Sequence, residues 1–169
     1  SLKSNFIGNK NDFYNRKDIL FLSNVISRFP MGGTCGHSRI DFLDEILKNQ
    51  TEMISSIVKN NISILHKPYN RRITLLFSDH FKNLNKINNQ LYSLLNINQK
   101  GLTIDLIKNG KILLWDQIGS GTVEAFANNI PSMIYWNRIY SKEADWAKKN
   151  IEELENYGVL HDSIDSLIK

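Results

Sequence analysis

Hydrophobic and polar positions fall into blocks that read as strands separated by helices. Ile19-Leu20-Phe21-Leu22 is an unbroken apolar run of strand length, as expected of a strand covered on both faces. A loop from Ser27 to Ser38 follows, carrying Gly32, Gly33 and Gly36. From Arg39 onward, Ile40, Leu43, Ile46, Leu47, Met53, Ile54, Ile57 and Val58 recur at helical spacing, and Asn60-Asn61 ends that pattern. Ile62-Ser63-Ile64-Leu65 reads as the second strand, stopped by His66-Lys67-Pro68. Ile73–Phe77 fits a short strand or the tip of an excursion, Asp79–Asn89 a polar helix, and Leu91–Ile97 either element. Leu102–Asn109 predicts a short helix between Gly101 and Gly110, and Lys111–Trp115 a strand. Beyond the turn Gln117–Gly121, Thr122–Asn128 predicts a helix that Asn129 can terminate, and Pro131–Trp136 a further strand. Ser141 can cap a helix from Lys142 to about Asn156, Gly158 ends it, and Ser163 can cap a last short helix after Val159-Leu160-His161.

Strands alternating with helices imply an α/β fold: a Rossmann-like parallel sheet with right-handed crossovers and helices on both faces. Ligands of such sheets sit outside the carboxyl ends of the strands, so the loops beginning at Asn24, His66 and Asp116 are the ones to examine. Residues 1–17 are polar and read as a loose N-terminal segment, leaving 18–169 as one domain. The chain of 169 residues, 41% hydrophobic and 22% charged, suits a single globular domain. No apolar stretch approaches the roughly 18 residues of a membrane span, and the first residues do not form a signal segment. The lack of an initiator Met suggests a processed chain or one domain of a longer protein. A single cysteine, Cys35, fits a reducing cytoplasm. The net charge of +4 is mild and its basic residues are interleaved with acids, which argues against nucleic acid as partner and for a local basic pocket holding an anion such as a phosphate.

The strongest chemical signal lies in Trp115-Asp116-Gln117-Ile118-Gly119-Ser120-Gly121-Thr122-Val123-Glu124-Ala125-Phe126-Ala127, a strand end, a tight turn and a helix start. Glycines there let a ligand approach the backbone, and free amides at a helix start, with the Ser120 and Thr122 hydroxyls, form an anion site. Glu124 could accept hydrogen bonds from ribose hydroxyls. The competing reading is a plain helix cap by Ser120 or Thr122.

The segment from Trp115 to Trp136 resembles the donor-binding half of GT-B glycosyltransferases. It is especially similar to surface-carbohydrate and capsule-biosynthesis transferases of a leptospiral-type family, through the Ser/Thr-rich turn, Glu124-Ala125-Phe126-Ala127, Ile130-Pro131 and the following apolar strand. Tyr135-Trp136-Asn137 and Tyr157-Gly158-Val159-Leu160-His161-Asp162-Ser163 extend the likeness. It covers residues 110–165 well, and 18–70 in layout only. The resemblance implies one half of a two-domain enzyme binding a nucleotide-sugar donor, with Gly119, Ser120, Gly121, Thr122 and Glu124 contacting phosphate and ribose. It further implies a carbohydrate or lipid-linked acceptor, an N-terminal domain of the same protein, and a cytoplasmic location with peripheral association at the inner membrane face. No cofactor or metal is implied.

Related transferases often carry a Lys-x-His-Pro or His-Pro element facing the donor; this chain has His66-Lys67-Pro68, followed by Arg71 and Arg72. Lys67, Arg71 and Arg72 supply cations beside the crevice, suited to a diphosphate or a carboxylate, although a solvated basic loop reads equally well. Arg28 and Arg39, flanking the glycine-bearing loop, could also reach a phosphate. Cys35 and His37 are too few for a metal site. Asp116 could orient a ligand or cap its turn. Trp136, Tyr140 and Trp146 could stack on a base or sugar, or pack in the core. The readings that follow are a nucleotide-sugar donor domain, a non-catalytic nucleotide- or sugar-binding module, a polyol-phosphate transferase domain with a cytidine-diphosphate-linked donor, and an interaction domain without ligand. No catalytic base is identifiable.

Overall fold

The computed structural model describes residues 16–23, 43–69, 71–95, 104–138 and 142–169. The first apolar run forms β1 (Lys17–Leu22), whose Leu20 and Phe21 are wholly buried. Helix α1 (Leu43–Lys59) buries the stripe Gln50, Met53, Ile54, Ile57 and Val58. It ends at Asn61, whose φ of 59° is the left-handed conformation that turns a chain out of a helix. Next come β2 (Ile64–Lys67), α2 (Arg71–Leu76), α3 (Ser78–Asn85), β3 (Tyr92–Leu94), α4 (Ile104–Ile107) and β4 (Gly110–Trp115). After α5 (Ser120–Ala127) and β5 (Ser132–Tyr135), a 3-10 turn at Asp145–Ala147 runs into α6 (Lys148–Asn156). The strand β6 (Leu160–His161) and α7 (Ile164–Ile168) close the order. Asn129 and Gly158 end α5 and α6 with positive φ, and the Ser163 hydroxyl accepts the Ser166 amide at the start of α7.

The six strands form one sheet in the order β3-β2-β1-β4-β5-β6, and every neighbouring pair is parallel. The fold is therefore α/β and Rossmann-like. Residues of α1, α2, α3 and α7 pack with Phe21, Ile64, Tyr92 and Leu114 on one face. Residues of α4 and α5 pack with Leu20, Leu22 and Leu113 on the other, where α6 joins Ile134 and Leu160. The connection after β1 thus crosses one face and that after β4 the opposite face, although the two strands are neighbours. Sheets of this kind take ligands in a crevice at the carboxyl edge between two such neighbouring strands, here β1 and β4.

Several elements differ from the sequence reading. The second strand runs two residues later than expected, so His66 and Lys67 are part of it, because pairing of Phe21 with His66 and Leu22 with Lys67 carries the ladder to Pro68. The segment 71–76 is helical, and 92–94 is a strand paired to β2. The helix expected from Lys142 begins only at Lys148, after the 3-10 turn, and its proposed cap Ser141 lies outside the described residues. Strand burial is incomplete: Ile112, Trp115, Ser132 and Met133 are half-buried.

Candidate functional site

The β4–α5 connection builds one wall of the crevice. The helix begins at Ser120, two residues before the expected Thr122, and its cap is Gly119. Thr122 has no exposed surface. Its hydroxyl donates to the Gln117 carbonyl at 3.2 Å and accepts the Gly119 amide at 3.3 Å. The side chain thus locks the turn and is committed within it. The first helical bond is Val123 N–H to the Gly119 carbonyl, so the amides of Ser120, Gly121 and Thr122 have no intrahelical acceptor. Such amides, at the positive end of the helix dipole, suit an anion. A Cβ on Gly119 would meet nothing within 4 Å among the described residues. At Gly121 a Cβ would lie 2.8 Å from the Trp115 ring; glycine lets α5 seat directly on the indole. Trp115 Nε1 is sealed from solvent with no hydrogen-bond partner among the described residues. Ser120 and Glu124 are exposed, and Asp116 is half-buried at the strand end. Replacing Thr122 with Val should cost about 1–2 kcal/mol, as two buried groups lose their partner; urea unfolding measures it, and an unchanged midpoint would show the hydroxyl idle in the turn.

The end of β2 supplies the second wall, and it separates two residues that the sequence left together. Alternation along the strand sends His66 and Lys67 to opposite faces. Lys67 shares a register row with Leu22, Trp115 and Ile134, on the α5 side of the sheet. The residue is only 7% exposed and burial lowers its pKa; its ammonium keeps contact with solvent and has no hydrogen-bond or ion-pair partner among the described residues. A partly desolvated ammonium without a counter-charge favours an anion beside it. Arg71 opens α2 four residues further on; its side chain, like that of Arg72, lies outside the described set.

His66 faces the other way and has no exposed surface. Its Nδ1 is 2.8 Å from the Tyr92 hydroxyl and its Nε2 is 2.9 Å from Ser23 Oγ. Burial, with His80 adding to it, pushes its pKa down to about 3, so the ring is neutral. The side chain is a member of the core rather than of the crevice wall. Ser23 and Tyr92 carried no sequence signal, because their link to His66 spans three strands.

The remaining candidates scatter. Arg138, just past β5, lies 5.9 Å over the Trp136 ring and is paired with Glu143 and Glu155. Trp146 is 84% exposed in the 3-10 turn, outside any core. Arg28, Cys35, His37, Arg39 and Tyr140 lie outside the described residues. No helix among the described residues is long and apolar enough to cross a membrane.

No curated protein matches the chain significantly. A family model described as LIC12162 family transferase matches residues 2–167. That match takes in both walls of the crevice and every strand of the sheet, and the chain accordingly belongs to the LIC12162 family of transferases.

Proposed function

We propose that this chain is the donor-binding domain of a glycosyltransferase acting in bacterial cell-surface carbohydrate biosynthesis, and that the β1–β4 crevice holds the diphosphate of a nucleotide-sugar. The observation that carries the reading is the placement, on one face of the sheet at its carboxyl edge, of the helix start at Gly119–Thr122 and, two strands away, of Lys67, whose ammonium has no counter-charge among the described residues. Both favour an anion, and an anion shared between amides and an ammonium is how a departing nucleotide phosphate is stabilised during group transfer. Glu124, on the first turns of α5, would accept from the ribose hydroxyls, and Arg71 stands beside the same edge. The acceptor, carbohydrate or lipid-linked, and the base that activates it belong in this reading to a second domain of the same protein, which associates with the inner membrane face. The 169-residue chain is therefore expected to bind donor without turnover; sugar transfer by this chain alone would contradict that division of labour.

The test is calorimetric titration with uridine, guanosine, cytidine and adenosine diphosphates and their sugar esters. One nucleotide series should bind and raise the melting temperature. Lys67→Met keeps the buried stem and removes the charge, so affinity should fall roughly ten- to a hundred-fold while stability holds or rises. Glu124→Gln should weaken a ribonucleotide more than inorganic pyrophosphate. Full affinity in the Lys67→Met variant would remove Lys67 from the site, and no nucleotide binding at all would end the donor-domain reading.

A further inference from the structure

Three buried polar groups on adjacent strands stand behind the crevice: Tyr92 on β3, His66 on β2, and Ser23 one residue past the end of β1. They are 2%, 0% and 5% exposed. The rings of Phe21 and Phe81 lie 4.6 and 5.6 Å from the imidazole, completing an apolar shell around it. The backbone of Ser23 is fixed as well, its amide donating to the Lys67 carbonyl at 3.2 Å.

Counting hydrogens gives this row a direction. A neutral imidazole carries one N–H and one lone pair. Tyr92, His66 and Ser23 therefore own three polar hydrogens between them, and the two hydrogen bonds that join them use two. The third must sit at one end of the row. On Tyr92 it would be enclosed in the core, where that hydroxyl has no polar contact but His66 among the described residues. A buried donor without an acceptor is strongly disfavoured. On Ser23 it would lie at the carboxyl edge of β1, one residue beyond the level where Leu22 pairs with Trp115. Neighbouring strands are about 4.8 Å apart, so this edge is that of the crevice.

We propose that Tyr92 donates to His66 Nδ1, that His66 Nε2–H donates to Ser23 Oγ, and that Ser23 thereby presents its hydroxyl hydrogen to an anionic phosphate oxygen in the β1–β4 crevice, from the side opposite α5. The inference rests on the crevice reading above and adds a ligand contact that the helix start and Lys67 do not provide. Ser23 is the contacting residue; His66 and Tyr92 are positioning residues that act through it. A network serving packing alone would adopt the same tautomer, so the Ser23 titration is what separates the two roles.

Two measurements on the whole chain decide it. Long-range proton–nitrogen correlation spectra of ligand-free protein should show His66 protonated at Nε2. Titration with inorganic pyrophosphate should then show Ser23→Ala binding roughly tenfold or more weakly, and Ser23→Thr recovering most of the loss. An Nδ1–H tautomer in the wild type overturns the proposal, and this readout does not depend on any variant folding. A folded Ser23→Ala that binds as the wild type does, while Lys67→Met is impaired, overturns this proposal alone. A wild-type chain that takes up no pyrophosphate overturns it together with the crevice reading.

Discussion

Lowering the pH from 8 to 5 is expected to remove about 3 kcal/mol of folding stability, before the bulk of the carboxylates titrate. The cause is a pair of buried neutral imidazoles. Burial, reinforced by its neighbour His80, holds His66 at about 3, and burial alone lowers His80 to about 4, from an ordinary 6.5. His80 is fixed by Gln50, whose side-chain oxygen lies 2.8 Å from Nε2. In the unfolded chain both rings take up a proton as the pH falls through 6.5; in the folded chain neither does until the pH is near 4. Between those limits the unfolded state binds more protons, so stability falls with pH. A fully buried group contributes about 2 kcal/mol across this window, and the partly exposed His80 contributes less. Such a loss is a large share of the roughly 5–15 kcal/mol that holds a domain of ordinary stability.

Asp18 does not share that window. Burial acts to raise its pKa, but the hydrogen bonds from Lys111 and Ser63 outweigh it and hold the carboxyl at about 2. The stability it adds is present above its ordinary 3.8 and lost only below it. Urea unfolding at pH 8, 7, 6 and 5 reads the effect. His80→Gln should flatten the slope without abolishing it, since His66 remains. A midpoint that stays level from pH 8 to 5 would mean that both rings are protonated in the fold.

The second large effect concerns the centre of the sheet. Gly110→Ala should destabilise by about 3 kcal/mol, at the upper end of what overpacking usually does. A Cβ at this position would lie 2.5 Å from Leu20 Cβ and 2.7 Å from the Leu20 backbone nitrogen. No rotamer relieves a clash with a backbone atom, so β1 and β4 must move apart. Those are the two strands whose carboxyl ends flank the crevice, and Lys17 pairs directly with Gly110 in that ladder. The shift should therefore reach ligand binding as well as stability. At Gly119, by contrast, the space around a new Cβ is open. Gly119→Ala should cost no more than about 1 kcal/mol, the loss of a glycine cap without any clash. Equal midpoints for wild type and Gly110→Ala in urea would show that the two strands are less tightly joined than this contact requires.

The alternation of strands and helices and most of the helix ends can be read from the order of residues alone. Those features are local. An apolar run such as Ile19–Leu22, a three- and four-residue repeat such as Met53 to Val58, and a left-handed residue at Asn61, Asn129 or Gly158 each carry their information within a few neighbours. The turn at Gly119–Thr122 was visible for the same reason, and only the choice of cap was displaced, because glycine caps with no side-chain signature. Relations between residues far apart in the chain came only with the packed fold. It set the strand order, and with it the neighbouring carboxyl ends of β1 and β4. It assigned 71–76 to a helix and 92–94 to a strand, where short apolar runs read either way until a partner strand is in place. It divided His66 from Lys67, since which face of β2 becomes core depends on the helices that cover it. It joined Ser23 and Tyr92 to His66 across separations of 43 and 26 residues. A hydrogen bond of that reach leaves no periodicity in the chain, because it forms only once three strands lie side by side.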